Sequence, residues 1–305
     1  MRAVNSNTEA AELPKIDYLS PAAEVGMPDR WFQIASSDHF WVRRRFEVLR
    51  KLSNDLLSGA GEMAEVGCGQ GLLQRQIEDV YGKAVTGFDL SEYGLNRNVS
   101  RISRLCCYDI RQRNEAFHGK FDLVLLFDVL EHIADEDGFL NALLFHLAPG
   151  GKLILNVPAG AWAHSAYDVA AGHVRRYAID DLRTVARRNG LEILEWTYWG
   201  LPLVPTLLVR KLWLTAERDQ SRIITSGFDS RSPWINKALE DLARLEWIPQ
   251  KLLGTSLMAV LGEKRGEHLL QSGGKPREES PVDVRSRHQT PSSTHEDDPN
   301  PLSVG

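Results

Sequence analysis

The chain has 305 residues, 43% of them hydrophobic and 25% charged, an ordinary globular composition with room for one large α/β domain plus additions. Its net charge of −5 argues against a nucleic-acid binder; without residues 267–305, which hold seven acids and four bases, 32 bases still face 34 acids. Cys68, Cys106 and Cys107 fit neither a disulfide framework nor a zinc site, and no apolar run is long enough for a membrane helix. We therefore expect a protein of the reducing cytoplasm, without a secretion signal.

Residues 1–15 are polar and read as a flexible N-terminus. Residues 16–60 read as a helical cap, with Phe46, Leu49, Leu52 and Leu56 at helical spacing. The core over 61–200 then alternates strand and helix. Met63 to Val66 reads as a strand, Leu72 to Val80 as a helix and Ala84 to Asp89 as a second strand. Glu92 to Val99 reads as a short helix and Ile102 to Tyr108 as a third strand. Phe121 to Phe127, a continuous apolar run, suits a strand buried on both faces. Asp137 to Leu147 reads as a helix stopped by Pro149-Gly150-Gly151, and Lys152 to Val157 as a fifth strand. Ile179 to Asn189 reads as a helix closed by Gly190, and Leu191 to Trp199 as a sixth strand. Such alternation predicts a mainly parallel sheet with right-handed crossovers. Residues 201–254, rich in Leu, Trp and Arg, read as a helical insertion or lid, followed by a last strand within 255–263. The Ser-, Pro- and charge-rich residues 264–305 read as a disordered tail.

The turn after the first strand carries Gly67, Gly69 and Gly71. Glycines permit positive φ and let a ligand approach bare backbone, and the following helix offers unpaired N–H groups. Asp89 ends the second strand, where a carboxylate can accept both hydroxyls of a ribose. Asp109 follows the third strand, within reach of an adenine amino group. Taken singly, either aspartate could be a turn or helix cap; their ordered succession points to an adenosine ligand. A nicotinamide-dependent dehydrogenase fits poorly, because its fingerprint spaces the glycines as G-x-G-x-x-G. Here Gly71 comes one residue early and Leu72 holds the third-glycine place.

From about Met63 to Trp199 the chain resembles the class I S-adenosylmethionine (SAM)-dependent methyltransferases. The resemblance rests on EVGCGQG, GFDLS, CCYDI, FDLVLLFDVLEHI and LAPGGKLILNVP. The aromatic-basic N-terminal helix and GHVRRY at 172–177 resemble a bacterial subgroup acting on small molecules. The resemblance implies a Rossmann-like three-layer sandwich: a seven-stranded, mostly parallel sheet whose last strand is antiparallel. It assigns Glu65 and the three glycines to the methionine side of SAM, Asp89 to the ribose and Asp109 to the adenine. Leu90, Ile110 and Phe127 would line the adenine pocket or its rim.

Methyl transfer from a sulfonium is an in-line displacement, so alignment of the acceptor is the main requirement and a general base is an addition. No metal is required, and no metal-ligand spacing is evident. His132, after the fourth strand, is the first base candidate, although it could simply tie a loop by hydrogen bonds. His173 is the second. His164, Tyr167, Asp168, Arg175, Arg176 and Tyr177 make up a polar loop expected to face the acceptor. Arg175 and Arg176 could bind a carboxylate or phosphate, or pair instead with Asp180 and Asp181.

FDVLEH lacks the Asn/Asp-Pro-Pro-aromatic pattern of enzymes that methylate amino groups of adenine or glutamine, and no Pro-Cys nucleophile is present. A small-molecule acceptor is expected, with O-methylation favoured and a sugar, lipid-linked or isoprenoid-type substrate in view. Peripheral membrane contact through 201–214 is a further expectation. Leu207, Leu208, Trp213 and Trp234 could serve it, or could be core or a dimer contact. The alternative function is a catalytically silent SAM-binding or interaction module.

Overall fold

A computed structural model describes residues 15–23, 36–214, 223 and 232–264. The chain divides into a unit ending at Lys264 and a second unit over 265–305, and the described residues belong to the first. The expectations of a flexible start and a disordered tail fall almost wholly outside the described residues.

An edge strand, β1 (Ile16–Tyr18), opens the described chain. Helix α1 (Phe40–Gly59) follows, capped by His39, whose Nδ1 accepts from Trp41 N–H. Its stripe of Val42, Phe46 and Leu49 is buried against the sheet, and the helix kinks at Ser53. Strand β2 (Met63–Val66) leads through the glycine turn into α2 (Leu72–Tyr81), and β3 (Thr86–Asp89) into the single turn α3 (Glu92–Leu95). Next come β4 (Leu105–Cys107), β5 (Phe121–Phe127), α4 (Glu136–Leu144) and β6 (Leu147–Pro158). The short helix α5 (Ala166–Ala170), α6 (Ile179–Arg188) and β7 (Leu191–Trp199) follow. Beyond them lie α7 (Val204–Leu214), α8 (Pro233–Ala243) and the last strand, β8 (Ser256–Glu263).

The strand order is β1-β4-β3-β2-β5-β6-β8-β7. Strands β1 to β6 pair in parallel, while β8 lies between β6 and β7 and is antiparallel to both. The Rossmann-like sandwich and its antiparallel last strand are therefore as expected, with eight strands instead of seven. The added strand is β1, which pairs Ile16 with Leu105 and Tyr18 with Cys107 inside the segment read as a helical cap. Three residues carry no periodicity, so only the open edge of β4 shows them to be a strand.

Several boundaries also shift; the expected strands over 84–89 and 102–108 shorten to β3 and β4. Helix α4 ends at Leu144, and Leu147 pairs with Phe121, so Leu147-Ala148-Pro149 belongs to a strand with an irregular register. The expected helix over 92–99 shrinks to one turn. Strand β5 does separate two layers. Val124 and Leu126 pack in one buried cluster, and Leu123, Leu125 and Phe127 in the other, as expected for a strand covered on both faces. All three cysteines are buried.

Between β7 and β8, the described residues of 201–254 include the helices α7 and α8. On α7, Val204, Leu207 and Leu214 are buried, whereas Leu208, Val209, Leu212 and Trp213 are exposed. Trp234 on α8 is exposed as well. Among the described residues no helix is long and apolar enough to cross a membrane.

Candidate functional site

The carboxyl ends of parallel strands bring chain turns together, which is where such sheets bind ligands. At the end of β2, Gly67 and Cys68 donate from their backbone N–H groups to the Phe88 carbonyl, at 2.7 and 3.2 Å. This anchors the turn to β3. Gly67, Gly69 and Gly71 all have positive φ (78°, 52° and 71°). A Cβ on Gly67 would lie 2.3 Å from Val129 Cγ2, so the turn both needs the left-handed region and has no room for a side chain.

Asp89 ties the turn together. Its Oδ2 accepts from Gly69 N–H at 2.7 Å and its Oδ1 from Ser91 N–H at 2.7 Å. Burial raises its pKa, opposed by those N–H donors. Asp109 accepts from Arg111 N–H at 3.0 Å, and its own N–H donates to Ser20 Oγ at 2.8 Å. Both aspartates thus cap local turns and stand at successive strand ends. Glu65 lies within β2 at 4% exposure, its Oε2 without a partner. Burial pushes its pKa up to about 8, against the pull of Arg45 and with the help of Asp89 and Asp128.

Leu90 and Ile110 follow β3 and β4; Leu90 is half-buried and Ile110 fully so. Ile110 packs with Phe88 and Tyr108 on one face of the sheet, whereas Phe127 lies in the cluster on the other face, 5.3 Å from the Arg45 guanidinium. Leu90, Ile110 and Phe127 thus pack with three different buried clusters.

The chain after β5 holds a group that sequence reasoning did not single out. Asp128 has φ +58°, strained for a non-glycine residue. Its carboxylate pairs with Arg45 at 2.5 Å and accepts from Asn156 Nδ2 at 2.7 Å. Asn156 Oδ1 in turn accepts from Trp199 Nε1 at 2.8 Å. Arg45 also lies 4.8 Å from the Trp41 ring. The aromatic-basic composition of α1 was the visible signal; the partner of its arginine was not.

Glu131 and His132 lie on the tight turn Leu130–His132 that follows. Glu131 is 1% exposed with Oε2 unpartnered, and burial holds its pKa well above the carboxylate range. His132 Nδ1 bonds to the Gly172 carbonyl at 3.2 Å, while its Nε2 is buried without a partner. Burial first, then the neighbouring His173, lowers the His132 pKa to about 4, so the ring is neutral at pH 7. The His132 and His173 rings stand 4.9 Å apart. One ligand atom from each of Glu131, His132 and His173 lies within 4.8 Å of the others, a convergence hidden by a 40-residue gap in sequence.

The polar loop is held from within. Asp168 is fully buried and accepts from His173 Nδ1 at 3.0 Å, Arg176 Nε at 2.7 Å and Ser165 N–H at 2.8 Å. Although burial alone would raise it, His173 and Arg176 hold the Asp168 carboxyl well below the usual carboxylate range. Arg176 also donates to the Ala159 carbonyl at 3.1 Å. Arg175 pairs with Glu136 at 2.5 Å. Neither arginine pairs with Asp180 or Asp181: Asp180 holds Arg183, and Asp181 accepts from Ala178 N–H. Tyr177 is 1% exposed, its hydroxyl donating to Glu136 at 2.7 Å, so it serves the core. Tyr167 is buried beneath the Arg210 guanidinium at 4.4 Å, which links the loop to α7. His164 is half-buried at the end of the turn Ala161–Ala163.

A family model described as a methyltransferase domain matches residues 41–195, about half of the chain. The chain belongs to the class I SAM-dependent methyltransferases. A Mycolicibacterium smegmatis protein named "Probable S-adenosylmethionine-dependent methyltransferase" is 29% identical over 146 residues, 47% of this chain and 54% of that protein. A protein of Idiomarina loihiensis named ubiquinone biosynthesis O-methyltransferase is 33% identical over 124 residues, 37% of this chain and 49% of that protein. The chain thus spans about half the length of these curated relatives. Among solved structures, a SAM-dependent methyltransferase from Archaeoglobus fulgidus aligns with TM-score 0.44 at 17% identity, covering 72% of this chain and 94% of that one.

Proposed function

We propose that the chain moves a methyl group from SAM to a small-molecule acceptor, most readily an oxygen. The observation that carries this reading is the Gly67–Gly71 turn, clamped by Asp89 through Gly69 N–H at the carboxyl edge of the sheet. In it, Glu65 and the three glycines meet the methionine end of SAM, and Asp89 takes the ribose hydroxyls. Asp109 takes the adenine amino group, with Leu90 and Ile110 beside the ring. Phe127, on the other sheet face, acts indirectly by packing against Arg45.

The acceptor lies against His132 and His173. The neutral His132 imidazole can take the proton of an acceptor hydroxyl while the methyl carbon moves from sulfur to oxygen, leaving a neutral thioether. His164 is the remaining polar side chain of the loop for acceptor contact, with the outer edge of Arg175. Arg176 and Tyr167 position the loop. O-methylation draws support from relatives named as ubiquinone biosynthesis O-methyltransferases, at 28–33% identity. The exposed apolar residues of α7 favour an acceptor that partitions to membranes.

The test is calorimetry with SAM and S-adenosylhomocysteine, followed by transfer of label from methyl-labelled SAM into metabolite and lipid extracts. Saturable binding of either ligand with transfer to a small molecule is expected. No binding at millimolar concentration would end this reading.

A further inference from the structure

Among the described residues, burial and ligand geometry converge outside the cofactor turn at the cluster of Glu131, His132 and His173. We infer that these three side chains hold a divalent transition-metal ion, which in turn holds and polarises the acceptor oxygen. Its role at the acceptor rests on the proposed methyl transfer; the ion site itself does not.

Three features point to an ion. The ligand atoms of the three residues already lie within 4.8 Å of one another. Ions of this class bind nitrogen and oxygen at about 2.0–2.2 Å, so two ligands of one ion stand at most about 4.3 Å apart. Neighbouring ligands of a tetrahedral ion stand about 3.4 Å apart, so loading draws the three side chains together by about 1 Å or more, within reach of rotamer and loop adjustment. Next, two of the atoms lack other partners: Glu131 Oε2 and His132 Nε2 are both buried and unpartnered. Leaving such groups dry and unpaired is costly, and an ion satisfies both at once.

The histidines are also oriented as ligands. The Nδ1–H of His132 donates to the Gly172 carbonyl at 3.2 Å, which leaves the Nε2 lone pair for coordination. His173 presents Nδ1 to the buried Asp168 carboxylate at 3.0 Å, which likewise leaves Nε2. Metal-bound histidines characteristically have their second nitrogen held by a carboxylate or a backbone carbonyl in this way. Asp168 is fixed by Arg176 and Ser165, and Val174 N–H donates to the Glu131 carbonyl at 2.9 Å. The two loops are thus locked to each other before any ion arrives.

Two imidazoles and one carboxylate select zinc, manganese, iron or cobalt over magnesium or calcium, which prefer all-oxygen cages. Three protein ligands leave coordination positions for an acceptor oxygen. The ion would lower the pKa of the acceptor hydroxyl, whose proton passes to solvent. An oxygen lone pair then forms the new C–O bond as the C–S pair stays on sulfur. His132 and His173 become ligands, and no separate base is needed.

The experiment uses the full chain, free of affinity tag and stripped with chelator, titrated with Co²⁺ and followed by visible absorption. Wild type is expected to bind one ion per chain with d–d bands of nitrogen and oxygen ligation. His132→Asn with His173→Asn should weaken binding at least 100-fold, and Glu131→Gln, which preserves volume, at least tenfold. Each variant is also titrated with S-adenosylhomocysteine, so that a folding defect registers separately from a lost ion site. Absence of bands in wild type up to millimolar Co²⁺ would overturn the inference, as would wild-type Co²⁺ affinity in Glu131→Gln. If S-adenosylhomocysteine fails to bind while Co²⁺ binds, the function falls and the ion site stands.

Discussion

Arg45 of α1 reaches Asp128, 83 residues later, with 2.5 Å between Nη1 and Oδ2. This one pair joins the N-terminal helix to the strained residue that follows β5 and, through Asn156, to Trp199 on β7. The side chains are 11% and 18% exposed, so neither charge is fully hydrated when its partner is removed. Arg45→Ala should therefore cost about 3 kcal/mol, the low end for breaking a buried pair from one side. Urea unfolding measures it; a loss under about 0.5 kcal/mol would mean the pair does not fasten α1.

Asp89 accepts two backbone N–H bonds and is proposed to meet the ribose. Asp89→Ala should weaken SAM binding by about 1–3 kcal/mol, the scale of a lost hydrogen bond to a charged group. Calorimetry that returned the wild-type affinity would remove Asp89 from the cofactor site.

Gly67 combines φ +78° with a Cβ position 2.3 Å from Val129 Cγ2. Gly67→Ala should lower stability by about 1–3 kcal/mol from the backbone alone, with the collision added. In the double variant with Val129→Ala the collision goes and the backbone strain stays. Thermal melts should place it between Gly67→Ala and wild type. A double variant no more stable than the single one would show that the clash contributes nothing.

The exposed face of α7 carries Leu208, Val209, Leu212 and Trp213. If this face meets a membrane, Leu212→Glu with Trp213→Glu should sharply reduce co-sedimentation with phosphatidylglycerol vesicles while leaving SAM affinity alone. A wild-type chain that stays in the supernatant would end the membrane proposal.

The legible parts of this fold are those whose physics is local. The apolar run Phe121–Phe127 announces a strand covered on both faces, and the glycines after Val66 announce a backbone that needs positive φ. The illegible parts depend on distant partners. Strand β1 exists because β4 offers an open edge, and Arg45 has meaning only beside Asp128. Tyr177 and Arg176 look like acceptor ligands in sequence, but Glu136 and Asp168 already engage them. The pairing of Glu131 and His132 with His173 needs the loop after β6 to fold back on the turn after β5.

Glu65 supplies the pH dependence. Burial raises its pKa from the ordinary value of 4.5 to about 8, so the folded chain keeps a proton that the unfolded chain releases. The group therefore favours the folded state at low pH, and that contribution is lost as pH rises from about 4.5 through about 8. A cation beside Glu65 reverses the preference by stabilising the carboxylate. Since SAM is proposed to place its charged methionine end there, binding below pH 8 should expel a proton. SAM affinity should then rise with pH between 6 and 8, by at most about tenfold per unit for one proton, and level off above 8. Glu65→Gln cannot titrate and should bind SAM more weakly at pH 8, with a flat profile. Calorimetry in buffers of different ionisation enthalpy counts the protons released. The same slope in Glu65→Gln as in wild type would show that the proton comes from another group and that Glu65 does not meet the cofactor's charge.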